Sequence, residues 1–573
     1  VTETSETEAA TPPGPRRTSS VAPKVFWPAA IIILAFVVAT VIAPDAMESG
    51  ISALQSEVVG KFSWYYMLIV SLFVAFAIWV GLSHYGDIKL GPDEEEAEFG
   101  LLSWFSMLFA AGMGIGLVFW GVAEPLSHYA GVPNRATGIT QDEAGAQESL
   151  VQTFLHWGLH PWAIYVVVGL AIAYAIHRKK RPVSIRYAVE SLIGRRVKGW
   201  IGDIIDIAAV VGTLFGVATS LGLGVMQIAA GLDFLDIISD PGNLTYVILI
   251  GAITLAAIVS VVTGLKKGIR YLSNFNIGLA AVLLIAVLIL GPTLFIFRDL
   301  VQSIGAYFQN LLQMSFNTTA FEVETGTDWQ AYWTTYYWGW WIAWAPFVGV
   351  FIARISRGRT VREFVAGVLL VPTAVTMLWF SVFGGTALYR QLFGEGGLIV
   401  DGEVDQEGSL FGMLQGLPGG TAMAIGAVIL IATFFITSSD SGSLVVDMLA
   451  SGGDPNPPTW SRVFWATLEG LVAIALLLAG GLSALQTMSI LIALPFSVVM
   501  LLMCVSIIRD FRNERRTALR IQRRMQREEL TEHVTHSLID EGLVEPNGDA
   551  GTSTSGTSTG GTARRTGEAP STS

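Results

Sequence analysis

Twelve stretches of this chain are long and apolar enough to cross a bilayer, and no other feature limits its fold as severely. A spanning helix needs roughly 20 mostly apolar residues. Such stretches lie near 26–46, 64–84, 101–123, 150–177, 200–231, 242–263, 273–297, 331–356, 363–388, 419–450, 459–480 and 484–508. Hydrocarbon offers no partner to a backbone amide, so spans of this length are helices. Composition agrees, with 52% hydrophobic and 14% charged residues, where soluble chains carry about a quarter charged. The fold class expected is an all-α integral membrane protein with twelve transmembrane helices. Residues 299–318, "DLVQSIGAYFQNLLQMSFNT", are too polar to span and read as an interfacial amphipathic helix.

Basic residues orient the spans. "RKKRPVSIRY" and "GRRVKG" within 178–198, "KKGIR" at 266–270, "RISRGRTVR" at 354–362 and both tails fall on one side. The other side keeps only Lys61, Arg135, Arg298 and Arg390, so both termini are expected in the cytoplasm and the chain in the plasma membrane. No apolar core precedes Phe26, and no cleaved signal peptide is expected. The net charge of -12 lies largely in tails and loops and implies no nucleic-acid partner. The single cysteine, Cys504, excludes an internal disulfide. Residues 1–25 read as a disordered tail. Residues 509–573 begin with a basic helix and end in a Gly/Ser/Thr-rich disordered tail. Arg515, Arg516, Arg520, Arg523 and Arg524 of that helix are either a solvated flank or a sensor for anionic lipid.

Two spans carry weak points. "FAAGMGIGL", residues 109–117, places Gly112, Gly114 and Gly116 in mid-span. Glycine costs about 1 kcal/mol in a helix interior, and three in five residues favour an unwound segment that offers backbone groups to a ligand. "TFFITSSDSGS", residues 433–443, concentrates hydroxyls and Asp440 in the tenth span. The hydroxyls either bond the preceding turn or line a second break suited to a hard cation, which is the expectation here. Asp440 either serves that site, caps a half-helix or pairs with another residue. Spans three to seven (100–298) and eight to twelve (331–508) form two sets of five, preceded by two extra spans (26–99) and separated by residues 299–330. An odd number per set inverts the second relative to the first, the architecture of inverted-repeat transporters.

The eighth span opens with "YYWGWWIAWAPF", residues 336–347. Trp344 lies thirteen residues in from Ala331, about 20 Å at 1.5 Å per residue, too deep for an interfacial belt. Trp340, Trp341 and Trp344 share a face. The fourth span carries "LHWGLHPWAIY", with Trp157, Trp162 and Tyr165. Either these rings pack on one another, or they form a box that holds a quaternary ammonium by cation–π attraction. No carboxylate is evident within either cluster, so a zwitterion suits the box better than a bare cation; its carboxylate would meet the backbone at Gly112–Gly116. His156 and His160 have metal-like spacing without an evident third ligand, and Pro161 is expected to interrupt the helix beside them.

Together these stretches resemble the betaine/carnitine/choline transporter family over about Phe26–Arg509. The most specific is "WWIAWAPFVGVFIARISRGRTVREF" from Trp340 to Phe364, followed by "AAGMGIGLVFWGVAEP" and "HWGLHPWAIY". The resemblance implies a leucine-transporter-like core. It also implies a solute site of Trp157, Trp162, Tyr165, Trp340, Trp341 and Trp344, lined by the backbone of Met113, Gly114 and Gly116. A first sodium ion would be held by carbonyls of Ala110, Met113 and Phe434 with hydroxyls of Thr437 and Ser438. A second would use Thr213 and Phe347, but the remaining threonine position is Val217, which offers no oxygen, unless the nearby Thr219 and Ser220 compensate. No Lys or Arg stands at these positions, which favours sodium symport over exchange. Uptake of a glycine betaine-type solute, osmotic regulation and a homotrimer are implied. Ectoine, proline or carnitine carriage, a proton-coupled variant and a membrane-stress-gated channel are the alternatives. No convergent nucleophile, acid/base or metal set points to an enzyme, and no cofactor beyond coupling sodium is expected.

Overall fold

The computed structural model describes residues 21–112, 114–131, 141–263, 266–321 and 329–541. They are almost wholly helical; the only extended pairings among them are isolated bridges, Lys89 with Thr360 and Val400 with Glu403. The helices are α1 (Pro23–Ile42), α2 (Pro44–Leu82), α3 (Leu101–Gly112), α4 (Ile115–Ala130), α5 (Glu143–Trp157), α6 (Leu159–Ala173), the single turn α7 (Glu190–Ile193), α8 (Trp200–Phe234), α9 (Asn243–Thr263), α10 (Lys266–Leu290), α11 (Thr293–Ser315), α12 (Tyr336–Ile355), α13 (Val361–Phe393), α14 (Ser409–Gln415), α15 (Gly420–Ala450), α16 (Thr459–Leu478) and α17 (Gly481–Asp540). By length and composition, 11 described helical segments can cross a membrane. The predicted third span is not among them, because it is divided into α3 and α4, of 12 and 16 residues. The interfacial stretch at 299–318 falls mostly within α11.

Burial separates the centre of the bundle from its rim. The span Glu143–Arg178 is 94% buried over its most apolar window, while Asn243–Thr263 and Tyr271–Leu290 are each only 22% buried. The latter two expose Leu244, Ile248, Leu255, Ile285 and Ile289, the surface expected to face lipid tails. At the centre α6 packs on α12 and α8 on α15. The α6–α12 contact is close because Gly349 lies against Val168 and Gly169: a Cβ on Gly349 would come within 2.6 Å of the Val168 side chain. Small residues allow such backbone approach in membranes. Helix starts are fixed by local chemistry. Thr360 and Glu363 form a reciprocal capping box on α13, and Asp142 accepts from Gly145 N–H at the start of α5.

The break between α3 and α4 agrees with the glycine pattern. Gly114 is extended (φ -154, ψ -175), and α4 resumes at Ile115 without a side-chain cap. The predicted break in the tenth span does not occur: α15 runs uninterrupted from Gly420 to Ala450. Several of its hydroxyls bond the preceding turn: Thr437 Oγ1 lies 3.1 Å from both Thr433 O and Phe434 O, and Ser443 Oγ donates to Asp440 O, whereas Ser439 Oγ reaches across to Glu469. The fourth span is interrupted at Gly158 (φ -90, ψ -127), not at Pro161. Pro161 sits in the first turn of α6, where a missing N–H costs little.

The chain divides into two compact units, Val1–Phe511 and Arg512–Ser573. In the second, the described residues continue as helix to Asp540. Arg515, Arg516, Arg520, Arg523 and Arg524 are all exposed there. Most of the first 25 residues and the chain after 541 lie outside the described residues, as do the expectations of disorder placed on them.

Candidate solute and ion site

The six predicted aromatic residues converge from α5, α6 and α12. Trp157 meets Trp341 edge-on at 4.8 Å, and Trp340 stacks on Trp341 at 4.6 Å with 15° between planes. Trp162 packs edge-on against Tyr165 at 5.4 Å, and Tyr165 lies 6.5 Å from Trp341. Trp344 continues the row, 6.5 Å from Trp340 and 5.5 Å from Phe347. Trp157, Pro161, Trp162, Tyr165, Trp341, Trp344 and Thr376 enclose a cavity of about 20 Å³. That is room for about one water, so the rings must separate to admit anything larger.

The rings abut the helix break. A Cβ on Gly116 would stand 2.5 Å from Trp340 Cη2 and 3.1 Å from Trp157 Cη2; one on Gly114 would stand 3.7 Å from Trp344 Cη2. Glycine at 116 is therefore what lets the indoles reach the start of α4. Met113 lies outside the described residues, as do the side chains of 109–112, including Ala110. Trp340 Nε1, Trp344 Nε1 and the Tyr165 hydroxyl are buried without a hydrogen-bond partner among the described residues. Buried donors are ordinarily paired, so these three are free to bind a guest.

The interruption at Gly158 also builds the box. The carbonyls of His156 and Trp157 beside it accept from Trp341 Nε1 at 2.9 Å and Thr376 Oγ1 at 3.1 Å, the Trp157 carbonyl being left open because the residue four on, Pro161, has no N–H. Two walls of the site are thereby tied to exposed backbone carbonyls of the fourth span.

One central residue is absent from the predicted set. Glu124 on α4 is fully buried and contacts the aromatic cluster, correcting the expectation that no carboxylate does so. Its Oε2 accepts from Trp157 Nε1 at 2.7 Å and from the Tyr337 hydroxyl. Its Oε1 lies 2.6 Å from His156 Nδ1 and 3.3 Å from His128 Nε2. His156 Nε2 in turn faces Gln152 and Thr334 Oγ1, a pattern that fits the Nδ1–H tautomer. Glu124, His128 and His156 have candidate ligand atoms within 4.8 Å of one another, the spacing of a three-ligand metal site. Four donors around one carboxylate already account for that convergence. The metal-like partner of His156 is thus Glu124 rather than His160, whose Nε2 binds Ser315 and whose ring stacks on Trp338. The signal in the sequence was an acid inside an apolar run, "WGVAEP".

The predicted ion ligands occupy a second cavity. Phe434, Thr437 and Ser438 of α15 line a space of about 340 Å³ with Trp344 and Phe347 of α12 and Asn276 of α10. Thr437 Oγ1 also accepts from Asn276 Nδ2 at 3.1 Å. Thr213 Oγ1, predicted for the second ion, is buried and unpartnered. Val217, one turn on, is buried against Gly442 and presents only methyl groups. Asp440 is not an ion ligand in this arrangement; it pairs with Arg462 at 2.9 Å.

Residues 24–516 match the profile of the betaine/carnitine/choline family transporters. The chain is similar to an uncharacterized transporter of Mycobacterium tuberculosis, with 50% identity over 497 residues, covering 86% of this chain and 83% of that protein. It is 46% identical over 492 residues to the glycine betaine transporter OpuD of Bacillus subtilis, covering 86% and 95%. It is 43% identical over 491 residues to glycine betaine transporter 1 of Vibrio parahaemolyticus, covering 85% and 93%.

Proposed function

This chain belongs to the betaine/carnitine/choline family of transporters, and on that premise we propose that it takes up a glycine betaine-type zwitterion by sodium-coupled alternating access. The observation that carries the reading is the indole cluster seated against the uncapped start of α4, with three buried donors left unpaired. Ring faces attract a trimethylammonium group by about 0.5–2 kcal/mol each. The first N–H groups of α4 and the positive end of its dipole suit the carboxylate of the same solute. A zwitterion satisfies both ends at once. The Trp157–Glu124 hydrogen bond supports this reading too, because donation to a carboxylate leaves the indole more electron-rich.

Sodium would bind between the α3–α4 break and α15, at Phe434, Thr437 and Ser438 with the carbonyls of Ala110 and Met113. Because Val217 brings no oxygen beside Thr213, we assign one sodium per solute. The inverted five-helix repeats, twelve crossings, cytoplasmic termini, plasma-membrane location and trimer belong to the same proposal. So does osmotic control through anionic lipid at the arginine-rich helix. The favourable increment is about 1 kcal/mol per basic residue near such a surface.

The test is equilibrium binding of labelled glycine betaine to the purified protein, with sodium chloride or with potassium chloride as the salt. Binding that requires sodium and is lost in Trp344→Leu supports the reading. Binding unaffected by both changes contradicts it.

A further inference from the structure

Glu469 lies at the eleventh position of the 20-residue helix α16, midway along an apolar span. It is fully buried. Its Oε2 accepts one hydrogen bond, from Ser439 Oγ at 3.1 Å, and its Oε1 has no partner among the described residues. The Oε1 atom and the Val217 methyls crowd one point: a Cβ on Gly442 would lie 3.2 Å from Oε1 and 3.1 Å from Val217 Cγ2. The carboxylate therefore sits where α8, α15 and α16 meet, beside the position that departs from the second sodium site.

Among the described residues, the surroundings offer no net counter-charge. Asp440 and Arg462 are the charged groups near enough to act on it, and they neutralise each other at 2.9 Å. From α9 comes Thr254, packed against Gly470, and from α1 comes Phe26, against Trp460, Phe464 and Trp465. Neither ionises. An ionised Glu469 would leave one negative charge uncompensated within the membrane, which is costly. A sodium ion needs several oxygens, and the α8 residue beside Gly442 at this point, Val217, offers none. A proton needs only the one oxygen.

We propose that Glu469 is a proton-binding site of the transport core, loaded and unloaded as α8, α15 and α16 rearrange during solute uptake. The Asp440–Arg462 pair marks its exchange route. Arg462 lies seven residues, about 10 Å, along α16, and its side chain is 21% exposed. The proton leaves the carboxyl Oε1–H for water reaching that pair and returns from it, so charge balances at each step. The binding site stands on the geometry above; its link to uptake rests on the solute proposed for this chain.

Infrared difference spectra of the full chain in liposomes, taken between acidic and alkaline pH, test the site without any solute. The wild type is expected to show a protonated-carboxyl band that disappears on alkalinisation and is missing from Glu469→Gln. In Ser439→Ala the band moves to higher frequency, because the carboxyl loses its hydroxyl partner; this variant decides the matter if Glu469→Gln fails to reach the membrane. Identical difference spectra in wild type and variants overturn the site. In proteoliposomes at fixed sodium gradient, an acidic exterior should raise glycine betaine accumulation in the wild type by up to about tenfold per pH unit for one proton and leave Glu469→Gln unmoved. Equal responses in the two overturn the coupling. A wild type that takes up no betaine yet shows the Glu469 band refutes the solute and upholds the proton site.

Discussion

Trp157 and Glu124 are joined by a 2.7 Å hydrogen bond from the indole Nε1 to the carboxylate Oε2, and this bond couples a wall of the aromatic cluster to a buried clamp of two histidines and a tyrosine. Both partners are buried, so neither can exchange the other for water. Hydrogen bonds to charged groups contribute about 1.5–3 kcal/mol. Glu124→Gln is accordingly expected to raise the half-saturating glycine betaine concentration by about 10–100-fold while the protein still reaches the membrane. Uptake kinetics in cells, with surface expression measured in parallel, check this.

Gly116 and Gly114 should respond unequally to alanine. The added methyl at 116 would meet Trp340 at 2.5 Å, a distance that forces the ring to move, whereas at 114 it meets Trp344 at an ordinary 3.7 Å. Gly116→Ala is expected to abolish saturable uptake and Gly114→Ala to weaken it only several-fold. Equal losses at both positions would mean that the break matters only for its backbone freedom.

The sodium proposal makes a separable claim. Thr437→Val keeps the side-chain volume of Thr437 but removes the oxygen that faces Asn276 and the α15 cavity. The half-saturating sodium concentration should rise about tenfold or more, with little change in the solute affinity extrapolated to saturating sodium. The sodium dependence of wild-type uptake should have a Hill coefficient of about 1; a value near 2 would require a second ion that binds despite Val217.

The exposed arginines of the second unit are expected to act through charge alone. Replacing Arg515, Arg516, Arg520, Arg523 and Arg524 by glutamine should leave uptake at low osmolarity intact. It should remove the osmotic activation that the proposal expects in liposomes containing anionic lipid. Raising salt should mimic the replacement, since the Debye length is about 8 Å at physiological ionic strength. Vesicles of purely zwitterionic lipid serve as the control.

The legible part of this protein was what periodicity and span length determine. Apolar runs located the helices, three glycines located the break before Ile115, and indole spacing on two spans located the cluster. The unbroken α15 was not legible, because a Ser/Thr-rich stretch can either unwind or bond its hydroxyls to the preceding turn, and only packing decides. Nor was the interruption at Gly158, hidden by the more conspicuous Pro161 three residues on. Glu124 and Glu469 illustrate a different gap. Each is a lone acid in an apolar run, and the rule that an intramembrane acid marks function applies to them as much as to Asp440. Their partners are 32 residues away in the case of His156 and 30 in the case of Ser439, so neither network is visible as a local motif. Asp440, the most conspicuous acid in the sequence, takes the pairing that was one of its readings, with Arg462 as the partner.

The most direct test of the account is accumulation of labelled glycine betaine in proteoliposomes carrying the purified protein. The comparison is between an inward sodium gradient and equal sodium on both sides. The account predicts uptake above the external concentration with the gradient, equilibration without it, and loss of both in Gly116→Ala. Equilibration at the same rate and to the same level with and without the gradient would contradict it, and would favour a passive channel.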